Sequence, residues 1–132
     1  LGLSHGRPEL ARGVIEGVAH ATAAALAAYG KAGAPVHRVA AIGGGTKNDI
    51  LLRSVSAIAG VTQTVVDSDG AALGDAALAA LAVGAVDSRA QLAAWARIRE
   101  VVDPDPALSD VLVPDHARFL TLYSALCQWR AR

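Results

Sequence analysis

The sequence predicts an α/β fold, because segments with helical spacing alternate with short segments typical of strands. A short apolar run over residues 36–42 ends in the three glycines Gly43, Gly44 and Gly45, and a run rich in β-branched residues follows at 61–66. Hydrophobic residues make up 53% of the 132-residue chain and charged residues 18%, which is typical of a globular domain. We therefore expect one domain with a buried core and a small sheet that leaves an edge uncovered.

The first helix is predicted to begin at Pro8, because proline fits the first helical position, and to end near Gly30. Its expected buried face consists of apolar residues at helical spacing: Leu10, Val14, Val18, Ala21 and Ala25. The opposite face carries polar residues, namely Glu9, Arg12, Glu16 and His20. Gly13 and Gly17 each lower helix stability by roughly 1 kcal/mol relative to alanine, so we expect another backbone to pack closely there.

The next three predicted elements are a buried strand over 36–42, a helix over 48–59 that ends at Gly60, and a second strand over 61–66. A third helix is predicted over 71–83, with cap residues offered by Asp67, Ser68, Asp69 and Gly70. Because this helix consists almost wholly of alanine, leucine and glycine, we expect it to be buried on most sides. Gly74 and Gly84 are interpreted as sites of close helix crossing at a hinge between domains.

The C-terminal part is predicted to contain a weak helix over 87–96, a short strand over 98–102 and a last helix that begins at Pro114. Three prolines between residues 103 and 114 predict a loop, since proline interrupts helices. The apolar face of the last helix consists of Phe119, Leu122, Tyr123, Leu126 and Trp129. Trp95 and Trp129 are interpreted as core or interdomain anchors, and Cys127 as a buried residue.

The composition also restricts the function. The 12 basic and 12 acidic residues cancel, which argues against binding to nucleic acids or to an anionic membrane. The single cysteine, Cys127, cannot form an internal disulfide, so we expect a reducing, cytoplasmic environment. No apolar run reaches the ~18 residues of a membrane helix. Because the chain contains no methionine, we expect Leu1 to lie within a longer sequence.

The glycine turn at residues 43–45 is predicted to bind a nucleotide, since a strand, a glycine turn and a helix N-terminus together can hold a phosphate or a flat ring. Gly43, Gly44 and Gly45 have no side chains, so the backbone can approach the ribose and the α-phosphate side. A helix that starts near Thr46 would direct its amide groups toward this space, and the amide of Asn48 can pair with a purine edge. The alternative interpretation is a tight turn without a ligand.

Other polar residues have structural alternatives. Thr46 and Asp49 have the spacing of a capping box, so Asp49 either lies near the ligand or holds the helix start. Lys47 is interpreted as a solvated side chain, and Arg12 with Glu16 as a surface ion pair. No metal site is predicted, because the histidines lack ligand spacing and are interpreted as surface or interface residues: His5, His20, His37 and His116.

Three ordered blocks of the sequence resemble the C-terminal part of the FGGY carbohydrate kinases. They are Gly2 and Leu3 with ELARGVIEG at 9–17, IGGGTKN at 42–48, and ALGDAALA at 72–79 with Gly84. Each block matches a signature of that family, and together they extend along nearly the whole chain. Their order and spacing make the resemblance specific.

This resemblance implies an actin-like, ribonuclease-H-like C-terminal domain, here incomplete, with few strands and several packed helices. It implies that residues 1–132 bind the adenosine of ATP in a sugar kinase that phosphorylates a ketose or polyol hydroxyl with ATP and Mg²⁺. The sugar-binding catalytic domain, the phosphate loops and the magnesium ligands are then expected in an N-terminal domain of the same polypeptide. No catalytic residue is assigned in this chain. The residues assigned to ATP binding are Gly43, Gly44, Gly45, Thr46, Asn48 and Asp49.

Two other functional classes are considered. A non-catalytic nucleotide-binding or regulatory module of the same actin-like superfamily is the alternative, and the upstream sequence would separate it from a kinase. A dinucleotide-binding oxidoreductase is disfavoured, because the turn lacks the G-x-G-x-x-G spacing. The sequence does not name the sugar, so xylulose-, fuculose-, ribulose- and glycerol-type substrates stay open, and so does a homodimer.

Overall fold

The computed structural model describes residue 2, residues 4–67 and residues 71–130. Its elements are α1 (Arg7–Lys31), β1 (Arg38–Ala41), a 3₁₀ helix (Gly44–Lys47), α2 (Asp49–Ala59), β2 (Thr62–Asp67), α3 (Ala71–Ala82), α4 (Arg89–Ala93), β3 (Arg97–Val102) and α5 (Pro106–Arg130). This order of helices and strands confirms the predicted α/β fold. Ser68, Asp69 and Gly70, predicted to cap α3, and Leu3 of the first motif lie outside the described residues.

The three described strands form one sheet in the order β1-β2-β3. β1 and β2 are parallel and are joined through α2, so the glycine turn that follows β1 lies at the carboxyl edge of both strands. β3 returns antiparallel to β2, and its register shifts between Val65 and Val66. Among the described residues β1 has no strand on its outer side, which confirms the uncovered edge expected of a narrow sheet.

A buried network of hydrogen bonds joins α2 to the sheet. Leu52 of α2 and Val65 of β2 are buried, and so is the polar side chain of Gln63. The Nε2 of Gln63 donates to the carbonyl of Leu52 (2.6 Å) and to the Oγ of Ser56 (2.9 Å). The Oγ of Ser56 donates in turn to the carbonyl of Val102 on β3 (3.0 Å). These bonds satisfy the Nε2 of Gln63 and the hydroxyl of Ser56, and they hold α2, which follows the glycine turn, against both strands.

α1 buries a different face from the one that the sequence predicts. Its buried residues are Ala19, His20 and Ala23, whereas Val14 and Val18 of the predicted apolar face are exposed. Of the two interpretations of His20, surface or interface, the surface one is wrong, because α5 covers that side of the helix and packs against the imidazole ring. The face of α1 that enters the core is therefore decided by the two helices that pack on it, mainly α2 and also α5, and not by the apolar spacing of α1.

The glycines that were expected to allow close helix packing do not do so within the described chain. A Cβ atom built on Gly13, Gly17 or Gly74 would meet no atom within 4 Å. Gly84 has a positive φ of 69° and serves as a turn residue after α3. Close packing of another backbone on Gly13 and Gly17 is therefore not observed among the described residues, whereas the crossing expected at Gly74 and Gly84 concerns a second domain and stays a prediction.

α5 begins earlier than the sequence predicts. Pro106 is its first residue, and the Oδ1 of Asp105 accepts a hydrogen bond from the amide of Ala107 (2.9 Å). The predicted loop over 103–114 is therefore wrong, because a proline at the first helical position removes no intrahelical hydrogen bond. Pro114 lies inside the helix, where it leaves the carbonyl four residues earlier without its helical donor.

Much apolar surface in the second half of the chain is exposed. α3 makes no extensive contact with any other described element, and its residue Leu78 is 67% exposed. Cys127, Trp95 and Trp129 are exposed as well, so none of them belongs to the core. The predicted burial of α3 and of Cys127 is wrong for this chain, because no described element covers them. In the part of the chain that the structure describes, no helix has the length and apolar character needed to span a membrane.

Candidate functional site

The glycine turn connects the end of β1 to the start of α2. Gly43 has φ 86° and ψ −171°, a conformation that is essentially restricted to glycine. Its carbonyl accepts two hydrogen bonds from Thr46, one from the amide (3.1 Å) and one from Oγ1 (2.7 Å). Because the side chain of Thr46 is buried, it stabilises the turn from within.

The α-helix begins later than the sequence predicts. Thr46 lies in the 3₁₀ helix, and α2 starts only at Asp49. The N-cap is Asn48, whose Oδ1 accepts a hydrogen bond from the amide of Leu51 (3.1 Å). The capping box considered for Thr46 and Asp49 is therefore not formed, and Asp49 lies exposed in the first turn of α2.

The outer side of the turn is free of contacts from the described chain. A Cβ atom built on Gly43 or Gly44 would have no neighbour within 4 Å, and one built on Gly45 would lie 3.5 Å from Leu51. Of the three glycines only Gly43 has a positive φ. Neither backbone conformation nor internal packing therefore requires glycine at position 44. A flat or charged group can approach this backbone closely.

The turn forms one wall of a cavity of about 290 Å³. The residues that line it are Gly43, Gly44, Thr46, Lys47, Val66, Asp67 and Arg99. They come from the carboxyl ends of the two parallel strands and from β3, and open α/β sheets bind ligands at this edge. Three of the residues assigned from sequence line the cavity, whereas Gly45, Asn48 and Asp49 flank it along the chain.

Four residues of the cavity were not assigned to it from sequence: Lys47, Val66, Asp67 and Arg99. Asp67, interpreted there as a helix cap, is the exposed last residue of β2. Arg99 donates a hydrogen bond from Nη2 to the carbonyl of Thr46 and forms an ion pair with Glu100 (2.8 Å). No local motif marks Arg99, because it reaches the turn only through the pairing of β3 with β2. Only a knowledge of that strand pairing could have identified it.

The lining of the cavity carries charged side chains of both signs. It contains two cationic side chains, Lys47 and Arg99, and one carboxylate, Asp67, while Glu100 pairs with Arg99. The two cationic side chains can face an anionic ligand. Among the described residues there is no group of three or more histidine, cysteine, aspartate or glutamate side chains that could hold a metal ion.

A comparison with protein families shows which family the chain belongs to. A sequence model described as the FGGY family of carbohydrate kinases, C-terminal domain, matches residues 1–83. The matched segment is more than half of the 132 residues and contains the glycine turn. The chain belongs to the FGGY family of carbohydrate kinases. A search of curated proteins found no match to the FGGY chain.

Solved structures similar to the FGGY chain are also kinases. The xylulose kinase from Rhodospirillum rubrum matches 100% of this chain with a TM-score of 0.85 and 28% identity. The xyloylose kinase from Brucella ovis matches 98% with a TM-score of 0.82 and 26% identity. The gluconate kinase from Lactobacillus acidophilus, at a TM-score of 0.78, 24% identity and 96% coverage, supports the fold alone.

The family match and these structures confirm the predicted fold, a C-terminal domain of the actin-like ATPase class. The FGGY chain spans 27% of the length of each of the first two proteins and 26% of the third. Within the FGGY chain, Arg99 lies beyond the segment that the family model matches.

Proposed function

We propose that this chain is the adenosine-binding part of a sugar kinase, and that the complete protein phosphorylates a ketose or polyol hydroxyl with ATP. The observation that carries the proposal is the glycine turn at the carboxyl edge of two parallel strands. Gly43 holds a conformation restricted to glycine, and Gly44 is a glycine that neither φ nor internal packing explains. Membership of a carbohydrate kinase family supports a nucleotide as the group that approaches this turn.

In this proposal the ribose and purine of ATP lie against the three glycines, where the backbone can be approached closely. Thr46 keeps the turn in shape through its bonds to Gly43. The capping bond uses only the Oδ1 of Asn48, so its Nδ2 hydrogens can donate to a purine acceptor. Asp49 lies exposed beside Asn48 and completes the adenosine site.

The remaining machinery is proposed to lie in an N-terminal domain of the same polypeptide. The chain spans about 27% of the xylulose kinase that it resembles, and the exposed apolar residues Leu78 and Val83, on α3 and just after it, offer a surface for such a domain. Phosphoryl transfer needs Mg²⁺ and a base for the sugar hydroxyl. The magnesium ligands are proposed to lie in that N-terminal domain as well. The exposed single cysteine, Cys127, fits a cytoplasmic protein.

The proposal is tested with the complete protein, meaning this chain together with the segment that precedes it. We expect calorimetry to detect ATP binding, and we expect ADP release to depend on one sugar of a panel of xylulose, ribulose, fuculose, glycerol and gluconate. ADP release without sugar is the control. ATP binding without phosphorylation of any panel member would favour the non-catalytic module, and absence of ATP binding would contradict both functions. Sugar phosphorylation by the isolated 132 residues would show that the upstream machinery is not needed.

Asn48 offers a test that separates capping from nucleotide binding. In Asn48→Ser the side chain can still cap α2, but the amide is lost, so we expect ATP affinity to fall by about two- to tenfold at unchanged stability. In Asn48→Ala the capping oxygen and the amide are both lost, so we expect the same fall in ATP affinity and a free energy of unfolding that is lower by about 1 kcal/mol. Calorimetry and urea denaturation measure the two effects. Wild-type ATP affinity in Asn48→Ser would restrict Asn48 to its capping role.

A further inference from the structure

We infer that Arg99 is a positioning residue for the ATP-binding turn; the inference rests on the proposed function. In the pairing of β2 with β3, Glu100 lies opposite Val65 and Ile98 lies opposite Val66. Arg99 therefore has no residue opposite it and is the extra residue of a β-bulge. Bulges next to functional sites redirect side chains that a regular strand would present elsewhere.

The redirected side chain of Arg99 contacts the turn. Its Nη2 donates to the carbonyl of Thr46, and the amide and Oγ1 of Thr46 both donate to the carbonyl of Gly43. The guanidinium is therefore linked through Thr46 to the residue whose backbone conformation shapes the turn. Charge-assisted hydrogen bonds of this kind are roughly twice as strong as neutral ones.

The surroundings of Arg99 hold the guanidinium in this position. Glu100 accepts hydrogen bonds from both Nε (3.3 Å) and Nη2 (2.8 Å), so the plane of the guanidinium is held on a second side. Lys47 and Asp67 are the other charged residues that line the cavity, and Arg99 is thus one of two cations facing an anionic ligand. Removal of the Arg99 side chain would break its hydrogen bond to the turn and would also remove one positive charge from the cavity.

The test compares four variants of the complete protein. We expect Arg99→Ala to raise the Kd and the KM for ATP about tenfold while the KM for the sugar stays within about twofold. Arg99→Lys keeps a cationic donor and should restore part of the affinity for ATP. Glu100→Gln removes the ion pair but keeps the bond to Thr46, so it should have a small effect. Arg118→Ala is the matched control, because Arg118 is an exposed arginine on α5 that pairs with Asp115 (2.9 Å) away from the cavity.

The outcomes separate this inference from the proposed function. If the wild-type protein does not bind ATP, the proposed function fails and the role of Arg99 fails with it. If the wild type binds ATP and Arg99→Ala binds it equally well, the inference about Arg99 fails alone. An equal rise in both KM values, or an equal loss of ATP affinity in Arg118→Ala, would indicate a general structural effect and would also overturn it.

Discussion

Replacing Gly43 by alanine is expected to weaken ATP binding to the complete protein by more than about tenfold. At φ 86° and ψ −171° a side chain costs about 1–3 kcal/mol, so the alanine variant relieves the strain by shifting the backbone. The carbonyl of Gly43 accepts both hydrogen bonds from Thr46, and such a shift therefore displaces the whole turn. Titration calorimetry with ATP measures the loss.

Two matched variants separate the ligand from the strain. Gly33 has φ 83° in the turn before β1 and no neighbour within 4 Å of a Cβ atom, so Gly33→Ala introduces strain at another glycine of positive φ, away from the cavity. It should lower stability and leave ATP affinity unchanged. Gly44→Ala introduces neither strain nor a contact with the described chain, so it should keep stability and lose ATP affinity. Wild-type affinity in both Gly43→Ala and Gly44→Ala would remove the turn from the nucleotide site.

The stability of the protein is expected to fall as the pH is lowered from 7.5 to 5.5, with two contacting histidines, one buried and one partly buried, as the main cause. His20 of α1 and His116 of α5 lie with their Nδ1 atoms 3.2 Å apart and their ring centroids 5.3 Å apart. Phe119 stacks on His20 at 5.4 Å. Protonation of both rings would place two positive charges in contact beneath an aromatic side chain.

The sign of the effect follows from the pKa shifts. Burial lowers the pKa of His20 below the ordinary 6.5, against the opposing influence of the carboxylates of Glu16 and Asp115. Burial and the neighbouring His20 lower the pKa of His116. The unfolded chain therefore takes up protons at a higher pH than the folded one. The stability contributed by the neutral pair is present above about pH 6.5 and is lost as the pH falls through the lower folded pKa values, with uptake of up to about two protons on unfolding.

Urea denaturation at the two pH values tests this expectation. His20→Gln and His116→Gln should each reduce the difference in unfolding free energy between pH 7.5 and 5.5. His37→Gln replaces an exposed histidine and should keep the wild-type difference. Equal wild-type stability at the two pH values, or an unchanged difference in both variants of the pair, would contradict the assignment.

The elements around the glycine turn were predictable because their signals are local. The strands expected over 36–42 and 61–66 and the helix between them are observed as β1, β2 and α2. The predicted burial of the first strand is wrong, because no residue of β1 is buried and Ile42 is 61% exposed at the open edge of the sheet. A run of β-branched residues indicates β2, and Gly60, in the left-handed conformation, marks the end of α2. Both signals come from residues within the element or directly next to it. The prediction of a loop up to Pro114 was wrong, because the effect of a proline depends on its position in the helix. Pro106 is the first residue of α5, where proline is tolerated.

The sequence by itself determined the α/β order of elements, the glycine turn and the resemblance to the FGGY family, because each depends on neighbouring residues. The contact of Arg99 with the turn and the burial of His20 depend instead on the tertiary structure. Arg99 is 53 residues from Thr46 along the chain, and His20 is 96 residues from His116. Contacts over such separations arise when strands pair and helices pack. The periodicity of a single element carries no information about which partner will cover it.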